Sequence, residues 1–261
     1  MDLHLHGKTA IVTGASKGIG LAVVRTLVDE GAHVLAAART IGADLTTLVA
    51  GGAVEFIAVD LSTPDGPQAL AQQAVDRGGF DILVNNVGAV APRPDGFAGV
   101  TDEQWQATIN LTLMAAVRTI RAALPSLLSR GGGSIVTINS VNAELPDPLV
   151  IDYSAAKAAL GNFSKSLSKE VGAAGIRVNT ISPGPVETDL WLGAHGVAAT
   201  LAEAGGAAPA DIAASAAAAS VTGRFTKPEE VAALVAMLAS DRLGNVTGAD
   251  VRIDGGLVPT L

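Results

Sequence analysis

The chain has 261 residues, of which 49% are hydrophobic and 16% charged, with a net charge of −8 and no cysteine. This is enough apolar material for one large core, while the missing cysteines exclude disulfides and thiolate metal sites, as suits a reducing compartment. The acidic balance argues against a nucleic-acid partner, and neither a secretory leader nor an uninterrupted apolar run of about 18 residues is present, so a cytoplasmic chain without a membrane span is expected.

Short apolar runs alternate with helical stretches. The runs are Thr9 to Thr13, Val34 to Ala38, Val54 to Val59, Ile82 to Val84, Ser134 to Ile138, Val178 to Ile181 and Val251 to Ile253. Most are apolar at successive positions, the pattern of strands covered on both faces in a parallel sheet. Helices are expected near 18–30, 66–77, 103–129, 153–173 and 228–240. The alternation predicts a single-domain, doubly wound α/β fold with helices on both faces of the sheet. From Gly193 to Ser220 the chain is rich in Ala and Gly. It follows the sixth strand, where α/β sheets bind ligands. A substrate-binding lid over 188–222 is expected there; a solvent-facing helical hairpin is the alternative.

The first apolar run leads into Thr13-Gly14-Ala15-Ser16-Lys17-Gly18-Ile19-Gly20, which opens a helix. Glycines allow a tight turn and close approach to a pyrophosphate, and the helix start supplies free N–H donors. With 30 glycines in the chain, the spacing gains weight only from its strand–turn–helix setting. The single tyrosine, Tyr153, precedes Lys157 by four residues, so a helix puts both on one face. A free phenol has a pKa of about 10 and is a poor acid–base group at neutral pH. A neighbouring ammonium is expected to lower it.

With these motifs the chain resembles the short-chain dehydrogenase/reductase family over Lys8 to Gly256. The TGxxxGxG turn is Thr13 to Gly20, and YxxxK is Tyr153 to Lys157. NNAG appears as Asn85-Asn86-Val87-Gly88, with valine in place of alanine. Asn110 and Ser140 match the family's helix asparagine and catalytic serine, and Asp60 its adenine-side acid. Pro183-Gly184 and Thr188 follow the sixth strand, and Asp254-Gly255-Gly256 resembles the C-terminal signature.

The resemblance implies a Rossmann-type sheet of about seven strands and a hydride transfer between a nicotinamide dinucleotide and a carbonyl or secondary alcohol. By it, Ser140 binds the substrate oxygen and Tyr153 exchanges the proton. Lys157 lowers the Tyr153 pKa and holds the ribose, while Asn110 positions a water. The implied cofactor contacts are Gly14, Ser16, Lys17, Gly18, Ile19, Gly20, Arg39, Asp60, Leu61, Asn86, Gly88, Tyr153, Lys157, Pro183, Gly184, Val186 and Thr188. No metal is implied. A homotetramer or homodimer is implied, built through the long helices, where Ala155, Ala156, Ala158, Ala159 and Gly161 would allow close contact.

A carboxylate at the end of the second strand would accept the adenosine ribose hydroxyls. Ala37 and Ala38 stand there instead, followed by Arg39, with Lys17 in the turn. Two cations and no acid favour NADP(H) over NAD(H). Val90, Asn142, Glu144, Leu145, Pro146 and Trp191 are candidates for the substrate wall, and most are apolar. A ketoreductase is the favoured reading. An NAD-dependent alcohol dehydrogenase of the same family is the alternative, and a non-catalytic dinucleotide-binding sensor or scaffold the outlying one. The negative charge and the neutral Ala174 disfavour docking of an acidic carrier protein.

Overall fold

Seven strands make one sheet in the order β3-β2-β1-β4-β5-β6-β7, and every pairing is parallel. The computed structural model describes residues 1–260. The strands are β1 Thr9–Thr13, β2 His33–Ala38, β3 Val54–Ala58, β4 Ile82–Asn85, β5 Gly133–Ile138, β6 Ile176–Pro183 and β7 Asp250–Ile253. The helices are α1 Gly18–Asp29, α2 Ala43–Ala50, α3 Gly66–Asp76, α4 Asp102–Ile109, α5 Ala115–Ser129 and α6 Ile151–Val171. After β6 come α7 Asp189–Leu192, α8 Val197–Gly205, α9 Pro209–Ala218 and α10 Pro228–Ala239.

The unbroken apolar runs now have their reason. Alternate residues of one strand enter different cores. Val12, Ala36, Val84 and Val136 pack toward α1 and α10. Ile11, Leu35, Leu83 and Ile135 pack with residues of α3, α5 and α6. Each strand therefore needs apolar side chains on both faces.

The helix expected over 103–129 is α4 and α5 joined by a π-helical turn, Asn110–Met114. Thr101 and Gln104 form a reciprocal cap at its start. By length and hydropathy alone the run Asp102–Ser129 could cross a membrane. Here Ala115, Ala116, Thr119, Ile120, Ala123 and Leu127 are buried on one side of it, the pattern of a core helix. The sequence reading omitted α2, whose eight residues between glycines bury only Leu45.

At the opposite end of the sheet from the C-terminal strand tips, Arg177 closes α10. Its guanidinium donates to the carbonyls of Leu238 (2.6 Å), Ala239 (3.1 Å) and Ser240 (3.1 Å). A cation suits a helix C-terminus, where the last carbonyls have no partner within the helix. Burial pulls the Arg177 pKa down, with Asp241 opposing. Arg177→Met should strand the Ala239 carbonyl, while that of Leu238 keeps Ser134 Oγ (3.1 Å), and cost about 2 kcal/mol, read as a lower urea midpoint with an unchanged slope.

Candidate active site

Between β1 and β4 the chain order reverses, which opens a crevice beyond the carboxyl ends of these strands. The glycine turn fills its base. Gly14 has φ +64°, a left-handed value that favours glycine. A Cβ on Gly20 would stand 2.2 Å from the Gly14 carbonyl oxygen and 2.6 Å from Asn86 Nδ2. Position 20 therefore has no room for a side chain while the turn keeps its shape. Asn86 is the brace. Its Nδ2 donates to the carbonyls of Thr13 (3.1 Å) and Gly14 (3.2 Å), and its backbone N–H donates to Thr13 Oγ1 (2.9 Å). Thr13 Oγ1 in turn donates to the Val84 carbonyl at 3.2 Å. The Asn86 side chain thus shapes the turn through the protein itself.

Other residues read from sequence lie around this base. Lys17 and Arg39 are exposed. Asp60 Oδ1 accepts from the Ser62 N–H (2.9 Å) and hydroxyl (2.7 Å). These bonds hold its carboxyl below the usual range, with a smaller contribution from the charge of Arg39. Arg39 and Asp60 therefore share the β2–β3 end of the crevice. Leu61 and Val186 are buried in the core and Ile19 packs against it, so only their backbones can face a ligand. The Thr188 methyl lies 3.3 Å from where a Cβ on Gly18 would stand, so the segment after β6 reaches over the glycine turn. Gly184 presses on Asp254, at 3.1 Å by the same measure. Asp254 accepts from the backbone N–H groups of Gly256 (2.9 Å) and Val258 (2.8 Å).

The proton-handling groups meet at the ends of β5 and α6. Lys157 is 4% exposed. Its Nζ donates to the Ile138 carbonyl at 2.7 Å and stands 5.6 Å from the centre of the Tyr153 ring. It also lies 3.8 Å from a Cβ position on Gly88, which ties the pair to the loop after β4. Ser140 Oγ donates to Asn142 Oδ1 (3.1 Å) and accepts from the Asn142 N–H (3.2 Å). Burial pushes the Tyr153 phenol up to about 12, with a hydrogen bond from Ser140 opposing. Burial pulls the Lys157 ammonium down to about 7. The expectation that Lys157 lowers the phenol is not met in the protein alone. Burial disfavours the ammonium as well, and its proton is committed to a carbonyl. At neutral pH the phenol keeps its proton and the amine exchanges one.

Asn110 is tied to two other parts of the chain. Its Nδ2 donates to the Ser62 carbonyl (2.7 Å) and its Oδ1 accepts from Arg118 (2.6 Å). With one bond at each end, the side chain fastens the π-helical turn to the segment after β3 and still has a second amide hydrogen and a second oxygen lone pair. Glu144, a candidate for the substrate wall, pairs with Arg252 at 2.5 Å. Asp152, beside Tyr153, joins Arg93 and Thr108 in a buried cluster. Its members are far apart in sequence and left no signal there.

The family described as enoyl-(acyl carrier protein) reductase matches residues 14–258. An uncharacterized oxidoreductase, YvrD, of Bacillus subtilis (strain 168) is 34% identical, with 100% of both chains covered. The 3-oxoacyl-(acyl-carrier-protein) reductase FabG of Vibrio cholerae is 33% identical, covering 98% of this chain and 99% of that one. Among solved structures, L-sorbose reductase from Gluconobacter frateurii, complexed with NADPH and L-sorbose, is 36% identical with a TM-score of 0.90 and full coverage of both chains.

Lys157 makes folding pH-dependent. Its folded pKa (about 7) lies below its ordinary 10.5, so the unfolded chain binds more protons between these values and stability rises with pH across that window. The cost of burying the cation is complete below pH 7 and gone above about 10.5. Lys157→Met should therefore change stability most favourably at pH 6, and its advantage over the parent should shrink steadily toward pH 10. Denaturant midpoints without cofactor would check this; a difference independent of pH would refute it.

Proposed function

The chain belongs to the short-chain dehydrogenase/reductase family, and on that premise we propose that it reduces a ketone with NADPH, through Tyr153, Ser140 and Lys157. It is an oxidoreductase of carbonyl and alcohol groups. The observation that carries the mechanistic reading is the convergence of a phenol, a serine hydroxyl and a buried amine, with the amine against Gly88 on the loop whose Asn86 braces the glycine turn.

The crevice suits a dinucleotide. Gly14, Gly18 and Gly20 place no side chain on the turn at their positions, and α1 starts at Gly18 with no acidic residue in its first turn. Backbone N–H groups there would hold the pyrophosphate. Lys17 and Arg39 would hold a 2′-phosphate, and the second strand ends in Ala37-Ala38 with no carboxylate to repel it. Thr188 would reach the carboxamide from over the turn. When bound, the nicotinamide supplies the hydride.

The chain's own residues manage the substrate oxygen. Ser140 turns its hydroxyl from Asn142 to the carbonyl and fixes its position. Tyr153, protonated at neutral pH, donates its proton to the oxygen as negative charge develops there. Lys157, with a pKa near neutrality, passes a proton toward the phenol and orients the ribose hydroxyls. Oxidation of an alcohol reverses these steps. Asn110 contributes by holding the π-helical turn.

The 188–222 segment serves as a lid in this reading. Its two ends are fastened together: Val186 bridges Thr226, the Glu187 N–H donates to the Thr226 carbonyl (2.9 Å), and the Thr226 N–H donates to that of Pro185 (2.9 Å). Trp191 packs edge-on against Phe225, with ring centres 5.5 Å apart. A hinge over a pinned stem can close on a ligand and exclude water. Ala155, Ala158 and Ala159 are exposed on α6 while Ala156 is buried, which supports a homotetramer or homodimer formed through this helix in the cytoplasm.

Tyr153→Phe should lower kcat by about a thousandfold while NADPH binding, followed by fluorescence titration, stays within twofold. Retained turnover would refute the assignment. Cofactor choice is tested separately. The parent should prefer NADPH in kcat/KM, and Arg39→Ala should cut that preference roughly tenfold or more by removing a charge-assisted bond. A preference for NADH in the parent would overturn the phosphate site.

A further inference from the structure

One carboxylate ties three parts of the active site together. Asp152 is the residue before Tyr153, and it is 1% exposed. Its Oδ2 accepts from Arg93 Nη2 (2.6 Å), Arg93 Nε (3.2 Å) and Thr108 Oγ1 (2.7 Å), while its Oδ1 has no hydrogen-bond partner. Arg93 lies on the loop after β4, the loop that carries Asn86, Gly88 and Val90. The Arg93 backbone N–H also donates to the Leu149 carbonyl at 2.7 Å, just before α6 begins. Thr108 is in the last turn of α4, two residues before Asn110 and the π-helical turn.

We propose that Arg93, Asp152 and Thr108 form a positioning device that sets Tyr153 against the loop after β4 and the π-helical turn. This inference rests on Tyr153 being the proton donor. The physical case is geometric. A phenol donates a proton only when held within hydrogen-bond reach of the oxygen, and small displacements are costly in rate. The first turn of α6 has no side-chain cap at Val150, so the grip on Asp152 adds to the Asp147 N–H bond to Ser154 Oγ (3.3 Å) in fixing it. Burial alone would raise the Asp152 pKa, yet Arg93 and Thr108 hold it below the usual carboxylate range. The carboxylate therefore stays ionised, and a charge at the start of a helix matches the helix dipole. All of its hydrogen bonds pass through one oxygen. Loss of any partner shifts the load onto the others, so the three groups should act as a unit.

The test measures kcat, KM and NADPH affinity for Asp152→Asn, Arg93→Gln, Thr108→Val and the double variant R93Q/D152N. The single variants D152N and R93Q should lower kcat by about tenfold or more, with NADPH affinity within twofold. The double variant should be no slower than the worse single one. Arg93→Lys should recover part of kcat. If D152N or R93Q does not fold, Thr108→Val, which removes one bond, should still lower kcat several-fold at an unchanged melting temperature. Wild-type kcat in D152N, or in T108V where D152N is unfolded, would overturn the proposal. So would a fall in kcat matched by an equal fall in NADPH affinity, because that marks a general loosening of the fold. Tyr153→Phe run alongside separates the two readings: if it retains turnover, the proton-donor assignment fails, whereas an inactive Y153F beside a fully active D152N removes the positioning device alone.

Discussion

The site depends on an amine that is buried and yet proton-active. Lys157 Nζ has one protein acceptor, the carbonyl of Ile138 at the last residue of β5. An ammonium taken out of water is held in that form only weakly by one neutral acceptor, so its affinity for the proton falls toward neutrality. The same enclosure keeps the Tyr153 proton in place. A neutral acid beside an amine that exchanges protons near pH 7 is what reduction of a carbonyl requires.

That burial is supplied by the sheet. Ile138 pairs with Ile181 across β5 and β6, and both lie in the core toward α1 and α10. The ladder therefore places the Lys157 acceptor, while α6 places the lysine one turn beyond the tyrosine. Across the crevice, the β1–β4 pairing puts Val12 opposite Val84. Thr13 and Asn86 follow directly and lock the glycine turn to the next strand. The dinucleotide cradle and the proton-handling pair are thus set by neighbouring ladders of one sheet, and the loop after β4 touches both.

The two walls of the crevice are held by different contacts. The 188–222 segment is held by the bridge at Val186 and Thr226 beside it, by the Thr188 contact over Gly18, by the Thr222 N–H bond to the Gly255 carbonyl (3.1 Å) and by burial of Val197, Ala198 and Ala202. The opposite wall is gripped by buried ion pairing through Arg93 and Asp152.

The sequence by itself determined the fold class, the seven strands, the glycine turn and the Tyr153–Lys157 pair. Each of these is written in local periodicity: apolar runs for two-sided burial, glycine where the backbone crowds itself, and a spacing of four for one helix face. The tertiary structure alone decided the direction of the pKa shifts, the use of both ends of the Asn110 side chain, and the cluster of Arg93, Thr108 and Asp152. These depend on which distant segments are brought together and how deeply. Arg93 and Asp152 lie 59 residues apart, and Asn110 and Ser62 lie 48 apart, so no local pattern records either contact. Desolvation is likewise a property of the packed surroundings, which is why a lysine four residues from a tyrosine reads as a charge in the sequence and behaves as a poised amine in the fold.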